Sequence, residues 1–486
     1  MRAIRLLTLL STVSALATVG ACGSSSNGSN SSPQGDDDGG GNEGGSSSGS
    51  SSGGSTDSGS PESGATDGPF VRADHLPFPQ LTYQGGPIMT ATKVVSVTFP
   101  GDPNVSTFDQ LGQNITSSTY WDAVRSGYCE TGGTTCIGDG PAGVSVQITT
   151  APAASYTDAA LQTWIQTEIT NGILPMPDTT MPVSNTLYVL YFPMSTTITD
   201  PTGAQSCSAF DGYHGAMTIG SQQVPYAVVD ECDYGSAQAT LVATTETAAH
   251  EVFEAASDPG NPTGFYLDFS DPNTWGWDDV MGGEAADLCT DMYGLGGDEA
   301  SDGTFEAQRI WSNAFAMAGG DPCNPKPAGK TYFNASPSQA VYVLDVGGSV
   351  TFEASAFSTA PMGDWTLVAQ DWTDPSTQYL SFTIQGGTNT DAGPVVMVNN
   401  GSKPKITMTL LKDPGPAPND EADGVLLSVT GDPSNPTADN VWPFIVMSPA
   451  DAEDAGIDSA VSTRPHTRRL NRWTRPGSRA AHSMRW

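Results

Sequence analysis

The chain has 486 residues, and its 53 Asp and Glu residues against 18 Lys and Arg residues give a formal net charge of −35. So acidic a surface repels phosphate backbones, which argues against nucleic acid as a partner. This length allows roughly two to four domains. After residue 21, no apolar run is long enough to span a bilayer.

The first 21 residues are typical of a lipoprotein signal peptide. Arg2 and Arg5 precede a short apolar stretch at residues 6–19, and small residues precede Cys22. We therefore expect cleavage before Cys22 and a lipid anchor on its side chain. The alternative is an ordinary signal peptide followed by a chance cysteine. Either way, the protein is expected to be exported to the cell envelope, anchored to a bacterial membrane or released outside the cell.

Residues 22–69 are rich in Ser, Gly, Asn and Asp and contain almost no large apolar side chain. Such a segment cannot bury enough apolar surface to offset the entropy lost on ordering. The composition predicts a disordered, flexible tether.

Between residues 70 and 325, strand patterns alternate with helical patterns. The expected strands cover residues 94–99, 144–148, 187–192 and 226–229. The expected helices cover residues 108–125, 157–171 and 239–257. This alternation predicts an α/β or α+β domain with a mixed sheet.

After this domain the pattern becomes purely β. Expected strands at residues 350–354, 380–384, 406–410 and 425–429 are separated by turn residues. Residues 326–450 are therefore predicted to form an all-β, immunoglobulin-like sandwich that acts as a binding or accessory module. Residues 451–486 are predicted to be a disordered tail, which is basic from residue 464.

The cysteine count agrees with export. Lipidation of Cys22 leaves six of the seven cysteines, an even number that suits an oxidising compartment. The most economical pairing joins neighbours along the chain, with free thiols as the alternative. The three expected disulfides are Cys129–Cys136, Cys207–Cys232 and Cys289–Cys323.

The helix expected at residues 239–257 carries the pattern His-Glu-x-x-Glu. His250 and Glu254 lie one helical turn apart on one face, so both can reach the same cation. Glu251 lies beside His250, where it can act as general base on a metal-activated water. The pattern resembles the His-Glu-x-x-His zinc helix, with Glu254 in place of the second histidine.

A third ligand must come from another segment, and three residues compete for this role. Glu284 ranks first because a downstream glutamate suits the order of such motifs. His214 ranks second, since it completes a His₂Glu set, although a turn histidine that contacts backbone is the rival interpretation. Asp287 lies one turn after Glu284 and can orient His250 while Glu284 binds the metal.

Several short segments occur in an order that resembles the exordium/phosphate-induced protein family and bacterial secreted relatives of unassigned function. The resemblance covers about residues 90–325 and rests on residues 120–124, 211–215, 224–229, 249–255, 284–289 and 292–294. It implies an extracellular zincin-like domain, similar to metallopeptidases at its His-Glu-x-x-Glu helix. The site residues carried over by the resemblance are His214, His250, Glu251, Glu254, Glu284 and Asp287.

Two functions from different classes follow. The first is a zinc-dependent metallopeptidase that hydrolyses peptide bonds, with Zn²⁺ as cofactor and a peptide as substrate. The alternative is a non-catalytic, exordium-like surface protein with a structural metal or no metal, whose β module binds a cell-surface protein or polymer. The acidic segment at residues 298–303 is a further candidate, for Ca²⁺.

Overall fold

A computed structural model describes residues 69–260, 263–290, 305–326, 329–374, 376–415, 421–431, 439–455 and 457. The chain divides into units at Asp67 and Gly68, and all described residues belong to the second unit. Five predictions lie outside the described residues: the signal peptide, the lipidated Cys22, the tether apart from residue 69, the calcium segment at residues 298–303, and the basic tail from residue 464. Within the described ranges, no helix is both long and apolar enough to cross a bilayer.

The described chain contains both α-helices and β-strands and is rich in β-sheet. This confirms the predicted mixed α/β class. We call residues 69–326 the first part and residues 329–457 the second part. The strands of the first part are β1 (Leu81–Tyr83), β2 (Lys93–Thr98), β3 (Val144–Gln147), β4 (Ser155–Thr157), β5 (Thr186–Phe192), β6 (Thr197–Thr199), β7 (Gly212–Ile219), β8 (Gln222–Asp230), β9 (Phe265–Leu267), β10 (Ile310–Trp311) and β11 (Cys323–Asn324). Its helices are α1 (Val105–Asn114), α2 (Thr119–Val124), α3 (Asp158–Thr170), α4 (Ala237–Ser257), α5 (Trp275–Met281) and α6 (Asn313–Met317).

A five-stranded sheet in the order β3-β2-β5-β8-β7 organises the first part. The first four strands are parallel, and β7 pairs antiparallel with β8. Because side chains alternate along a strand, the sheet contributes apolar side chains to one core on each of its faces. Val95 and Val97 of β2 share one core with Leu161 of α3. Val94 of β2 shares the other with Phe253 of α4, so helices cover both faces of the sheet.

The prediction of one helix over residues 108–125 is wrong. Helix α1 ends at Asn114, a 3₁₀ turn covers Ile115–Ser117, and α2 begins at Thr119. Ser118 has extended backbone angles, and its hydroxyl accepts a hydrogen bond from the N–H of Trp121. Serine favours this capping role over a position inside a helix, which explains the break.

The described residues of the second part form three sheets and one short helix. Its strands and helix are β12 (Phe333–Ser336), β13 (Val341–Val343), β14 (Ser349–Glu353), β15 (Ser355–Ser358), β16 (Trp365–Asp371), β17 (Leu380–Ile384), β18 (Thr388–Thr390), β19 (Gly393–Val398), β20 (Lys405–Leu410), β21 (Glu421–Val429), β22 (Asn440–Met447) and α7 (Pro449–Asp454). Six strands form a sheet in the order β13-β22-β21-β16-β19-β18, and three form a sheet in the order β14-β20-β17. Strands β12 and β15 pair separately.

The two parts share a hydrophobic core where α5 meets β22. The rings of Trp277 and Trp442 contact edge to face, with centroids 5.5 Å apart. Gly276 lies against the backbone of Phe444, where an added Cβ would come within 3.0 Å. The sequence predicts that two independent folding units meet at residue 326, and this boundary stays a prediction.

Helix α7 extends the described structure beyond residue 450, where the sequence predicted the start of the tail. The hydroxyl of Ser448 accepts a hydrogen bond from the N–H of Asp451, and Pro449 occupies the first turn. Ala452 is buried in a small cluster with Trp275 of α5. These contacts give residues 449–454 a cap and an apolar anchor that composition alone does not reveal.

Three disulfides are present in the predicted pairing, which is thereby confirmed. They indicate an exported protein, because such bonds persist in oxidising compartments. The bonded pairs are Cys129–Cys136, Cys207–Cys232 and Cys289–Cys323.

Candidate metal centre

All six residues singled out by the sequence come together beside the C-terminal half of α4. Three of them lie on that helix, one lies on β7, and two follow α5. Strand β7 pairs with β8, and α4 crosses both strands, which brings the helix and β7 side chains to one place. The six residues are His214, His250, Glu251, Glu254, Glu284 and Asp287.

The helical spacing produces the predicted contact on α4. Ser236 caps the helix by accepting a hydrogen bond from the N–H of Ala239, and the helix then runs to Ser257. His250 Nε2 lies 2.9 Å from Glu254 Oε2. A nitrogen donor and a carboxylate oxygen therefore point to a common position, as metal coordination requires.

Glu254 also fixes the segment that follows α5. Its Oε1 accepts hydrogen bonds from the N–H of Ala286 at 2.9 Å and the N–H of Asp287 at 3.0 Å. With Oε1 occupied in this way, Oε2 remains directed at His250. The same hydrogen bonds place Asp287 Oδ1 3.5 Å from His250 Nε2.

Gln308 orients His250, and sequence reasoning missed it. Its Nε2 donates to the carbonyl of Ala286 at 2.7 Å, so its Oε1 is the atom that faces His250 Nδ1, at 2.9 Å. Nδ1 therefore carries a proton in both the charged and the neutral ring, and in the neutral ring the lone pair of Nε2 faces the carboxylates. This is the outer-shell arrangement of many metal-binding histidines. Gln308 lies 58 residues after His250, and no local pattern marks it.

His214 lies between the helix and the segment after α5. Its Nδ1 is 3.3 Å from Glu251 Oε2 and 3.9 Å from Glu254 Oε2. Its Nε2 is 3.5 Å from Glu284 Oε1 and 3.1 Å from the carbonyl oxygen of Asp258. The rival interpretation of a turn histidine is wrong about the turn, because His214 lies within β7, although one of its contacts is to a backbone carbonyl.

The ligand atoms fall into two groups of three that share Glu254. One group contains His250 and Asp287, and the other contains His214 and Glu284; within each, the ligand atoms lie within 4.8 Å of one another. Asp287, which the sequence assigned to orient His250, is thus the carboxylate that joins the His250 group. Glu284 and His214, which the sequence ranked first and second among the three candidates for third ligand, belong together in the other group.

The two groups differ in their access to solvent. The side chains of His214 and Glu284 are 3% and 8% exposed. Those of His250 and Asp287 are 11% and 21% exposed. The cluster is therefore more open to solvent at the edge formed by His250 and Asp287.

Opposite charges hold both imidazoles in their charged form when no cation is present. Burial disfavours imidazolium, but the hydrogen bond and charge of Glu251 outweigh it and raise the pKa of His214 to about 9. Burial likewise opposes charge on His250, yet the charge of Glu254 raises the pKa of His250 well above its usual value. In return, the charge of His250 outweighs burial and lowers the pKa of Glu254.

The pKa values of Glu284 and Asp287 shift in the opposite direction to that of Glu254. Burial, followed by the charge of Glu254, raises the pKa of both Glu284 and Asp287 well above the usual values. The cluster therefore contains more carboxylates than its two imidazoles can neutralise. A divalent cation would supply the missing positive charge, so the residues present fit a metal ion.

No model of a known protein family matches the chain, and no curated protein matches it. Among solved structures, a conjugative transposon lipoprotein from Bacteroides eggerthii matches 23% of this chain and 92% of its own, with 9% identity and a TM-score of 0.17. Domain 1 of VCBP3 from Branchiostoma floridae matches 25% of this chain and 99% of its own, with 7% identity and a TM-score of 0.17. At these scores, neither likeness defines the fold of this chain.

Proposed function

We propose that the chain is an exported, zinc-dependent metallopeptidase of zincin type. One observation carries this proposal: His250 Nε2 lies 2.9 Å from Glu254 Oε2 and 3.5 Å from Asp287 Oδ1, at the more open edge of a buried acidic cluster. One nitrogen and two carboxylate oxygens form a ligand set that zinc accepts. The three disulfides support action outside the cytoplasm.

In this proposal His250, Glu254 and Asp287 hold the ion. When bound, zinc supplies Lewis acidity toward a peptide carbonyl and lowers the pKa of water. Gln308 keeps the proton on His250 Nδ1, which leaves Nε2 as a ligand. The N–H groups of Ala286 and Asp287 restrain Glu254 at Oε1, so its second oxygen is held toward the site.

Glu251 is assigned to move the proton. It follows His250 directly on α4, and its Oε2 lies 3.3 Å from His214 Nδ1. Glu251 takes a proton from water as the carbonyl is attacked and returns it to the leaving amine. His214 orients the Glu251 carboxylate through this contact.

The remaining assignments extend this proposal to the whole chain. The lipid anchor on Cys22 would hold the enzyme at a bacterial membrane, with residues 22–69 as the tether. The second part would act as an immunoglobulin-like module that binds a surface protein or polymer. The order of motifs favours kinship with the exordium/phosphate-induced proteins.

Metal analysis and a matched pair of variants test the proposal. The purified full chain is expected to contain zinc and to cleave a labelled unstructured protein. Glu251→Gln should abolish cleavage and retain zinc, whereas Glu246→Gln, the same change earlier on α4, should retain both. Zinc-loaded protein that cleaves equally well with Glu251→Gln would refute the assigned role of Glu251.

One observation favours the non-catalytic alternative. The Glu251 side chain is 5% exposed and contacts His214, so it belongs to the buried side of the cluster. A metal there would then serve stability, and the second part would bind a surface partner. Zinc that raises the melting temperature, with no cleavage of any peptide library by wild-type protein, would establish this alternative.

A further inference from the structure

The second group of ligands lies on the buried side of Glu254, and the proposed mononuclear site takes only Glu254 from it as a metal ligand. His214, Glu254 and Glu284 each offer one ligand atom, and these atoms lie within 4.8 Å of one another. Their side chains are 3%, 3% and 8% exposed. Deeply buried carboxylates and imidazoles at this separation need either protons or a cation between them.

The contacts of His214 place oxygen atoms at both ring nitrogens. Among the described residues, the neighbours are Glu251 and Glu254 at Nδ1, and Glu284 and the Asp258 carbonyl at Nε2. A neutral imidazole, the form that binds a metal, has a single N–H to donate. In that form, one ring nitrogen directs its lone pair at neighbouring oxygens, where a cation can lie between them.

His250 shows the same pattern at the first group. Its Nδ1 faces Gln308 Oε1, while its Nε2 faces Glu254 and Asp287. In the neutral form that binds a metal, both imidazoles thus present one nitrogen lone pair toward nearby oxygen atoms. The cluster contains two such positions, one at each histidine, with Glu254 Oε2 between them.

Asp258 provides an independent indication on the buried side. Its side chain is fully buried, and its Oδ1 accepts hydrogen bonds from the N–H groups of Thr263 and Gly264 at 2.8 Å each. Its Oδ2 accepts no hydrogen bond from the described part of the chain. The carboxylate also lies within electrostatic range of His214 and Glu254. A buried carboxylate oxygen beside this group is what a second cation would neutralise.

The charge of the cluster also favours two ions over one. The two groups and Glu251 contain four carboxylates, from Glu251, Glu254, Glu284 and Asp287. With both histidines neutral, as metal ligands must be, these carry four negative charges. Asp258 adds a fifth carboxylate beside the inner group, so two divalent cations leave one negative charge in this buried site, whereas a single cation leaves three.

We propose that the chain binds two divalent metal ions, with Glu254 as the shared carboxylate. His250 and Asp287 complete the outer position, and His214 and Glu284 complete the inner position. Paired metal ions bridged by carboxylates occur in hydrolases, where they act together on the attacking water and the leaving group. This inference rests on the proposed function for the outer position and adds the inner one.

Metal stoichiometry of the full chain tests the proposal. Protein freed of metal by a chelator is dialysed to equilibrium against Zn²⁺ and analysed for metal per chain. Wild type is expected to bind two ions, Glu284→Gln one and Asp287→Asn one. Glu246→Gln, which leaves both groups intact, should bind two. His214→Gln provides a second inner-position variant, and circular dichroism verifies that each variant is folded.

Mn²⁺ supplies a readout that does not depend on counting. Electron paramagnetic resonance of wild type loaded with Mn²⁺ should show a coupled signal from two neighbouring ions, and Glu284→Gln should show the signal of an isolated ion. One zinc per wild-type chain, with an isolated manganese signal, would overturn the inner position and leave the proposed function standing. Wild type that binds no metal would overturn both.

Discussion

The contact between Gln308 and His250 gives a quantitative test of the outer position. Replacing Gln308 with Leu removes the acceptor for His250 Nδ1 and the donor to the carbonyl of Ala286. All three residues are buried. The carbonyl of Ala286 still accepts a hydrogen bond from the N–H of Cys289 at 2.9 Å, so only His250 Nδ1 is left without a partner. A polar group in that state costs about 1–3 kcal/mol, and we expect a loss of this size in the free energy of unfolding. Loss of such an outer-shell partner also lowers metal affinity, by about 10- to 100-fold.

A second substitution separates stability from metal binding. Gln308→Glu keeps an oxygen acceptor for His250 and loses only the donor to Ala286. We expect both variants to unfold at lower denaturant concentration than wild type, and only Gln308→Leu to lose zinc affinity. Competition with a chromophoric chelator measures that affinity. Equal zinc affinity in wild type and Gln308→Leu would refute the claim that Gln308 sets the tautomer of a metal ligand.

Three further predictions concern pH, the disulfide nearest the site and the contact between the two parts. Because the pKa of His214 is raised to about 9, its stabilising charge is complete below about pH 6.5 and is lost as pH rises through about 9. Metal-free protein should therefore have a lower Tm above about pH 9 than below about pH 6.5. Adding zinc, or the substitution His214→Gln, should reduce this difference in Tm. An unchanged difference in His214→Gln would contradict the role of His214. Replacing both Cys289 and Cys323 with Ser opens a link across 34 residues and should cost about 4 kcal/mol in chemical denaturation, whereas an unchanged midpoint would exclude a constraining role. Gly276→Ala places a Cβ 3.0 Å from the backbone of β22 and should cost about 1–3 kcal/mol, while Gly363→Ala, with no atom within 4 Å, should be neutral; equal Tm values would show that α5 and β22 are not tightly packed.

The sequence predicts α4 well because its signals are local. The expected helix at residues 239–257 is found at Ala237–Ser257, with Ser236 as the cap. Periodic apolar positions, a capping serine and a terminating Asp-Pro all act within a few residues. The six cysteines pair with their neighbours along the chain, which the same local reasoning anticipated.

Strands whose pattern depends on distant partners were missed, as β22 shows. Pro443 lies in its middle, and proline argues against an inner strand. The structure accommodates it because β13 pairs only with Ile445–Met447, so Pro443 lies beyond the end of that pairing. The position of β13 along β22 cannot be derived from either segment alone.

The candidate site likewise combines a feature that local spacing predicts with one that depends on contacts between distant segments. The helical spacing predicts that His250 and Glu254 point to one position, and the structure places them 2.9 Å apart. The choice between Glu284 and Asp287 depends on how the segment after α5 turns. Hydrogen bonds from the N–H groups of Ala286 and Asp287 to Glu254 fix that turn, and no spacing rule encodes them.

The most direct test of the account is a crystal structure of the zinc-loaded chain with anomalous data at the zinc absorption edge. We predict an anomalous peak at about 2.0–2.2 Å from His250 Nε2, Glu254 Oε2 and Asp287 Oδ1, the usual distances for zinc with nitrogen and oxygen ligands. A zinc-bound protein whose peak lies away from all three atoms would contradict the assignment of this cluster as the metal centre.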